Sequence, residues 1–380
     1  MHDKYRMRRS IMDVSVKDNK MILDLLNNWY VAILARRIED AHQLKEEVDS
    51  TINGTTHDQN ILLYYALLDF RYQYIVDNLG VSKDSFDKVE AFEIPKNSLL
   101  TYYYHFFKAI HASTIGNYNI AREHYEKAEI LLDTVSDEVE RAEFYYKLGA
   151  FYYDIYESLQ SIKYTAKARE IFLQETEKEG NKFERNIGFC ENLYGMACTN
   201  LREWVLAEEH LVKAMDIFQK LKEEKFILMV RHNLGLLYAS QNLSELAIRY
   251  LSEVSEKKPN HYKAMYVEAK EHLKLKEYDP TASLIAKGHK ICTELGNEEY
   301  HHHFEILNAL NEGIPAEKLE KIILAGISYF EKETLYEYIQ ECQEQLAKKF
   351  YEEGNHIKSS EYFYLSTQAR QKAFDKEALK

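Results

Sequence analysis

Small and bulky apolar positions recur through the chain at a fixed internal spacing. A small residue is followed twelve positions on by a second small one, then by a bulky one four later and a small one three after that. The set runs Ala109, Ala121, Tyr125, Ala128, and recurs as Gly149, Ser161, Thr165, Ala168 and as Gly195, Ala207, Leu211, Ala214. It appears again as Gly235, Ala247, Leu251, Val254 and as Ala269, Thr281, Ile285, Gly288, with a late copy, its last step one residue longer, read at Ala347, Ser359, Phe363, Thr367. Such a pattern is what two close-packed helices require: small residues where the backbones approach, a bulky one filling the gap beside them. Gly116 and Gly354 fall in the turn between the two helices, where a left-handed residue ends the first. Pro259 stands five residues past Val254, where a tetratricopeptide repeat places its proline. Offsets between second small residues are 40, 46, 40 and 34, so the early units carry longer helices than the usual 34-residue repeat. A seventh unit is placed by elimination around Phe304 to Leu324.

The first 80 residues do not follow the repeat. Their periodicity predicts amphipathic helices over Lys20–Ala35, Ile38–Ile52 and Asp58–Leu79, with Asn53-Gly54-Thr55-Thr56 as a turn and N-cap before the third. Val81 to Asn97, of mixed charge and with Pro95, reads as a linker. The expected fold is all-α: an N-terminal three-helix bundle followed by a right-handed tetratricopeptide-repeat superhelix of about seven helical hairpins. The expected division is a poorly ordered extension over 1–19, the bundle over 20–80, a linker over 81–99 and the repeats over 100–376.

Composition agrees with long helices. There are 13 Gly and 4 Pro in 380 residues, too few for a many-stranded sheet. Tyrosines number 30, which suits broad inter-helix grooves because each ring packs while its hydroxyl seeks a polar partner. A formal charge of −13 argues against a generic nucleic-acid binder, which needs a basic stripe to displace counterions. The basic cluster Arg6, Arg8, Arg9 has no apolar run behind it, so neither a secretory signal nor a membrane span is expected. Cys190, Cys198, Cys292 and Cys342 show no metal or redox spacing and read as buried small hydrophobes; cytoplasm is the expected compartment.

The chain carries few motifs of catalytic chemistry. Nucleotide-binding glycine loops, a nucleophile elbow and the His-Glu-x-x-His zinc motif are all missing. His301-His302-His303 point about 100° apart on a helix and cannot converge on one ion, so they read as solvated helix residues. Neither a metal nor another cofactor is expected. Tyr102-Tyr103-Tyr104 and Tyr145-Tyr146 read as inter-helix packing rather than base-stacking platforms, for want of interleaved basic residues. Asn192, Asn200 and Asn233 fall on the first helices of the third and fourth repeats. An amide side chain there can donate to a peptide carbonyl and accept from its N–H, clamping an extended backbone.

Taken together, several stretches carry a resemblance. They are Asn28-Trp29-Tyr30; Gln59-Asn60-Ile61-Leu62-Leu63-Tyr64-Tyr65 running to Asp69-Phe70-Arg71; and Tyr103-Tyr104-His105-Phe106-Phe107-Lys108. Ala142-Glu143-Phe144-Tyr145-Tyr146-Lys147, Asn233-Leu234-Gly235-Leu236 and Ala347 to Gly354 add to them. Over nearly its whole length the chain resembles the Rap family, the peptide-regulated response-regulator aspartate phosphatases and their non-enzymatic relatives of Gram-positive bacteria.

The resemblance implies that the bundle binds and blocks a bacterial transcription factor, repressor or response regulator, with His57, Asp58, Gln59 and Tyr64 at the partner surface. It implies that a short imported Phr-like peptide binds the repeat groove, compacts the protein and releases the partner. In phosphatase members a glutamine at the position of Gln59 orients water against the regulator's aspartyl phosphate, while the regulator's own metal handles the charge. Here His57 replaces an acidic residue that contributes to that action. In the groove Asn233 keeps the peptide-anchoring asparagine and Asn200 replaces a peptide-contacting aspartate. Asp154, one repeat earlier, supplies a negative charge in its stead; Glu268 and Glu305 are placed on the groove of later repeats. The expectation is a quorum-sensing regulator, with a Gln59-dependent phosphatase as the alternative and a peptide-blind scaffold as a third reading. Direct nucleic-acid or membrane contact is not expected, and a homodimer is compatible with the sequence.

Overall fold

A computed structural model describes residues 17–52, 57–96, 98–180 and 182–377. Among them are eighteen α-helices and no strand. Helices α1 (Lys17–Leu34), α2 (Ile38–Ile52) and α3 (Gln59–Val76) form the N-terminal bundle. Most of the expected extension, and the turn at 53–56, lie outside the described residues. The N-cap of α3 is Asp58, whose carboxylate accepts from the Asn60 and Ile61 N–H groups.

The linker is more ordered than its composition predicts. It contains a 3₁₀ turn, Lys83–Phe86, and the single-turn helix α4 (Asp87–Glu90). Phe86 and Val89 are buried, and the Phe86 ring stacks on His111 with centroids 5.5 Å apart.

Seven helical hairpins follow: α5 (Leu99–Thr114) with α6 (Tyr118–Ile130), α7 (Glu138–Asp154) with α8 (Ser158–Glu179), and α9 (Glu184–Asn200) with α10 (Trp204–Lys220). The remainder are α11 (Glu224–Ser240) with α12 (Ser244–Lys257), α13 (Tyr262–Lys274) with α14 (Tyr278–Leu295), α15 (Glu298–Asn311) with α16 (Ala316–Lys332), and α17 (Tyr336–Glu352) with α18 (His356–Glu377).

The small–bulky spacing is realised as helix contact. A Cβ on Gly195 would stand 2.6 Å from Leu211 Cγ and 2.9 Å from the Ala207 carbonyl oxygen; on Gly235 it would stand 2.6 Å from Leu251 Cγ. In the late copy the register differs. Ser359, Tyr362, Ser366 and Ala369 face inward while Phe363 is 43% exposed, on a face of α18 that no other helix among the described residues covers.

The low glycine content has a structural counterpart. Each of the seven intra-hairpin turns holds one left-handed residue, but only Gly116, Gly313 and Gly354 are glycines; Tyr156, Arg202, Asn242 and Lys276 adopt φ of 59–62° without that relief. Tyr156 N donates to Tyr153 O and Glu157 N to Tyr152 O, the paired bonds of a Schellman cap, and those bonds offset the cost of the conformation.

The superhelix winds far enough for its ends to meet. Tyr329 OH in α16 donates to the Gly116 carbonyl at 2.7 Å, and Tyr118 OH in α6 donates to Glu299 in α15 at 2.6 Å. The bundle is docked on the same body. Glu143 of α7, 1% exposed, takes Arg36 at 2.9 Å and Arg71 at 2.8 Å, one on each oxygen. Burial pushes the Glu143 carboxyl up, but the two guanidiniums outweigh it and hold the group below its ordinary value. The Lys225 ammonium of α11 donates to the Ile75 carbonyl at 2.8 Å and to that of Val76, capping α3 from the repeat side. Trp29, Tyr30 and Tyr64 join Tyr103 and Phe107 in one continuous core.

Candidate functional site

The first helices of successive hairpins line the concave axis and enclose a cavity of about 1130 Å³. That exceeds the roughly 300–1,000 Å³ of small-molecule pockets and suits a short peptide. Every first helix from α7 to α17 contributes to the wall, and Tyr74 and Ile75 of α3 close one side.

Of the residues expected in the groove, Asp154, Asn200 and Asn233 line this cavity. Asn192 lies behind Asn233, whose Nδ2 donates to Asn192 Oδ1 at 2.7 Å. This bond orients the Asn233 amide and leaves its own oxygen and second N–H available to a ligand. Burial drives the Asp154 carboxyl up to about 6; Lys263 opposes this, Glu299 adds to it, and Ser113 donates a hydrogen bond at 3.3 Å.

Two expected residues are elsewhere. Glu268 is buried between α12 and α13, where it accepts from Ser255 Oγ at 2.6 Å. Glu305 stands with His301 and His302, away from the cavity lining. Helical periodicity places a residue on a face, but the superhelical twist decides whether that face meets the axis, and here it does not.

Other groups in the wall carry no sequence signal of their own. The His232 and His261 rings lie tilted against each other with centroids 4.7 Å apart, and burial pulls the His232 imidazole down to about 3, so it is neutral. Its Nδ1 is buried without a hydrogen-bond partner among the described residues and lies in the lining of a polar cavity. The Lys263 ammonium sits 5.4 Å from the Tyr300 ring centroid, and Lys270 is neutralised by Glu341 at 2.6 Å.

At the bundle, His57 and Gln59 are exposed at the tip of α3, with Asp58 between them as the cap. Tyr64, expected at the same surface, is instead fully buried; its ring stacks on Tyr103 at 5.7 Å and its OH donates to Asn27. It positions α3 rather than meeting a partner. Of the histidine triplet, His303 is not solvated: it is 4% exposed, with its ring 4.3 Å from that of Tyr338. The four cysteines are buried thiols, and among the described residues no helix is long and apolar enough to cross a membrane.

Residues 16–77 match the family model described as response regulator aspartate phosphatase H, N terminal. A curated relative, response regulator aspartate phosphatase I of Bacillus subtilis (strain 168), is 27% identical over 96% of this chain and 95% of its own length. The chain is thus similar to Rap proteins over nearly its whole length, and its N-terminal helices match the Rap family model. Regulatory protein RapF of the same organism is also 27% identical, over 94% of this chain and 96% of its own.

Solved structures agree on the family fold. A Rap protein complexed with competence and sporulation factor superposes with a TM-score of 0.77 at 22% identity, over 94% of this chain and 99% of that one. NprR with its cognate peptide NprX gives 0.67 at 16% identity, over 91% and 98%. The apo form of NprR from B. thuringiensis gives 0.55 at 17% identity, over 92% and 99%.

Proposed function

We propose that this protein is a cytoplasmic quorum-sensing regulator that binds and blocks a bacterial regulatory protein through its bundle (20–80), and is switched off by a short Phr-like peptide in the repeat domain (100–376). The observation that carries the reading is the axial cavity, with Asn233 oriented by Asn192 on one wall and the carboxyl of Asp154 on another. An extended backbone needs paired donors and acceptors, and a basic side chain needs a carboxylate; both are present. The shape supports a switch. The chain resembles NprR with peptide more than NprR without it, by TM-scores of 0.67 and 0.55. The docked bundle, tied by Arg36, Arg71 and Lys225, is then the peptide-favoured state. A peptide shifts that equilibrium only by binding the docked state more tightly than the open one.

Calorimetry with short synthetic peptides carrying one basic residue tests the reading. Heat of binding with the intact protein, lost in Asn233→Ala, is the expected result. No heat from any such peptide, or undiminished binding by Asn233→Ala, removes it.

The phosphatase reading keeps one specific observation in its favour: Gln59 is exposed at the tip of α3, where an amide can enter a partner's site. His57 beside it stands where phosphatases of the family carry an acid, so the regulator reading comes first. Measuring aspartyl-phosphate lifetime of a receiver domain separates the two. Shortening that disappears in Gln59→Ala selects the enzyme; an unchanged lifetime selects the regulator.

A further inference from the structure

We propose that His289, His301 and Glu305 form a binding site for one divalent transition-metal ion of the zinc class, spanning the fifth and sixth repeats. His289 lies in the second half of α14; His301 and Glu305 stand one turn apart on α15. One ligand atom from each lies within 4.8 Å of the other two. The His301 Nε2 to Glu305 Oε1 separation is 3.4 Å. Two ligands about 2.1 Å from a tetrahedral ion stand about 3.4 Å apart, so this pair already has the required spacing. The His289 and His301 rings lie side by side with centroids 4.6 Å apart, and a side-chain rotation brings the third ligand in.

The helices approach this closely for a definite reason. Gly288, next to His289, packs directly against the ring of Phe304, next to Glu305, and a larger residue at 288 would hold the two helices apart. On the other side of Glu305, His302 Nδ1 stands 3.4 Å from Oε2, close enough to donate to it after a small adjustment. Ligating carboxylates are commonly hydrogen-bonded by an outer group, and His302 is placed to be that group. Two neutral imidazoles and one carboxylate favour zinc, cobalt, nickel or copper over magnesium or calcium. All three side chains are partly exposed, which leaves a coordination position for water.

The adjacent histidines of the triplet point apart and cannot converge on one ion. The partner of His301 is on the neighbouring helix. The same helix, α15, carries Glu299 and Tyr300 into the axial cavity, so an ion here fixes one cavity wall to α14.

The test uses the untagged full chain titrated with cobalt(II) chloride, read by d–d absorption, and with zinc chloride, read by thermal shift. One cobalt per chain with tetrahedral bands is expected. His289→Gln, His301→Ala and Glu305→Gln should each lose more than roughly the tenfold to hundredfold that loss of an outer partner causes, and His302→Ala should fall within that range. His124→Ala removes another paired histidine, 3.1 Å from His105, and should leave the titration unchanged. Circular dichroism confirms that each variant is folded; two of the three ligand variants suffice if one is not. Absence of tetrahedral bands in the intact protein, undiminished affinity in the ligand variants, or loss caused by His124→Ala overturns the site.

Discussion

Asn233 donates its side-chain N–H to the Asn192 side-chain oxygen at 2.7 Å, bridging the first helices of two consecutive repeats. Only the first of the two faces the cavity. The second fixes which way the amide points, so the pair acts as one unit, and removing either member disturbs the same ligand contact. Asn233→Ala should weaken peptide binding by about 1–3 kcal/mol. Asn192→Ala should weaken it by less, and the double variant by less than the sum. Isothermal calorimetry on the four proteins checks this; strict additivity would show that the bond orients nothing.

The Asp154 carboxyl, raised to about 6 mainly by burial, is protonated in the free protein below that pH. A basic peptide side chain beside it favours the ionised form, so binding expels a proton. Affinity for such a peptide should therefore rise as pH increases through about 6 and level off above it. Titrations at that pH in two buffers of different ionisation heat should differ by the released proton, and Asp154→Asn should abolish the difference.

Glu143 is the shared acceptor of Arg36 and Arg71, and all three are buried. Glu143→Ala leaves two uncompensated guanidiniums in the core, which should cost about 3–5 kcal/mol of bundle docking. A larger radius of gyration in small-angle scattering, with helical content kept, is the expected outcome. An unchanged radius would mean that the aromatic core alone holds the bundle.

At Gly195 and Gly235 the facing leucines leave no room for a methyl group. Gly195→Ala should destabilise the protein by about 1–3 kcal/mol through overpacking. Gly313→Ala, with nothing near its Cβ position but a φ of 63°, should lose about 1–2 kcal/mol from the backbone term alone. Chemical denaturation of both variants separates the two causes: restoring space with Leu211→Ala should relieve the first and leave the second untouched.

The repeat was legible because close packing is a local demand. Gly149, Gly195 and Gly235 each meet the residue sixteen positions later, and the first two also the residue twelve later; no other part of the molecule has to be known to predict that. The bundle helices were legible for the same reason, through their own apolar stripes. Tyr156, Arg202, Asn242 and Lys276 were not legible as turn residues, because hydrogen bonds of the cap rather than the side chain impose their left-handed backbone. The anchoring role of Asn233 could be read, but not its dependence on Asn192, since the two are far apart in sequence and meet across helices.

The order and length of the helices, the small residues that let them touch and the lack of enzyme motifs were properties of the sequence alone, since each depends on neighbours within a few turns. Three things needed the tertiary structure: the burial of Glu143 between two arginines, the removal of Glu268 and Glu305 from the groove, and the meeting of His289 with His301. The first depends on docking of the bundle onto α7 and the third on the close approach of α14 and α15 at Gly288, while the groove depends on the superhelical twist, which accumulates over many repeats and sets which faces converge.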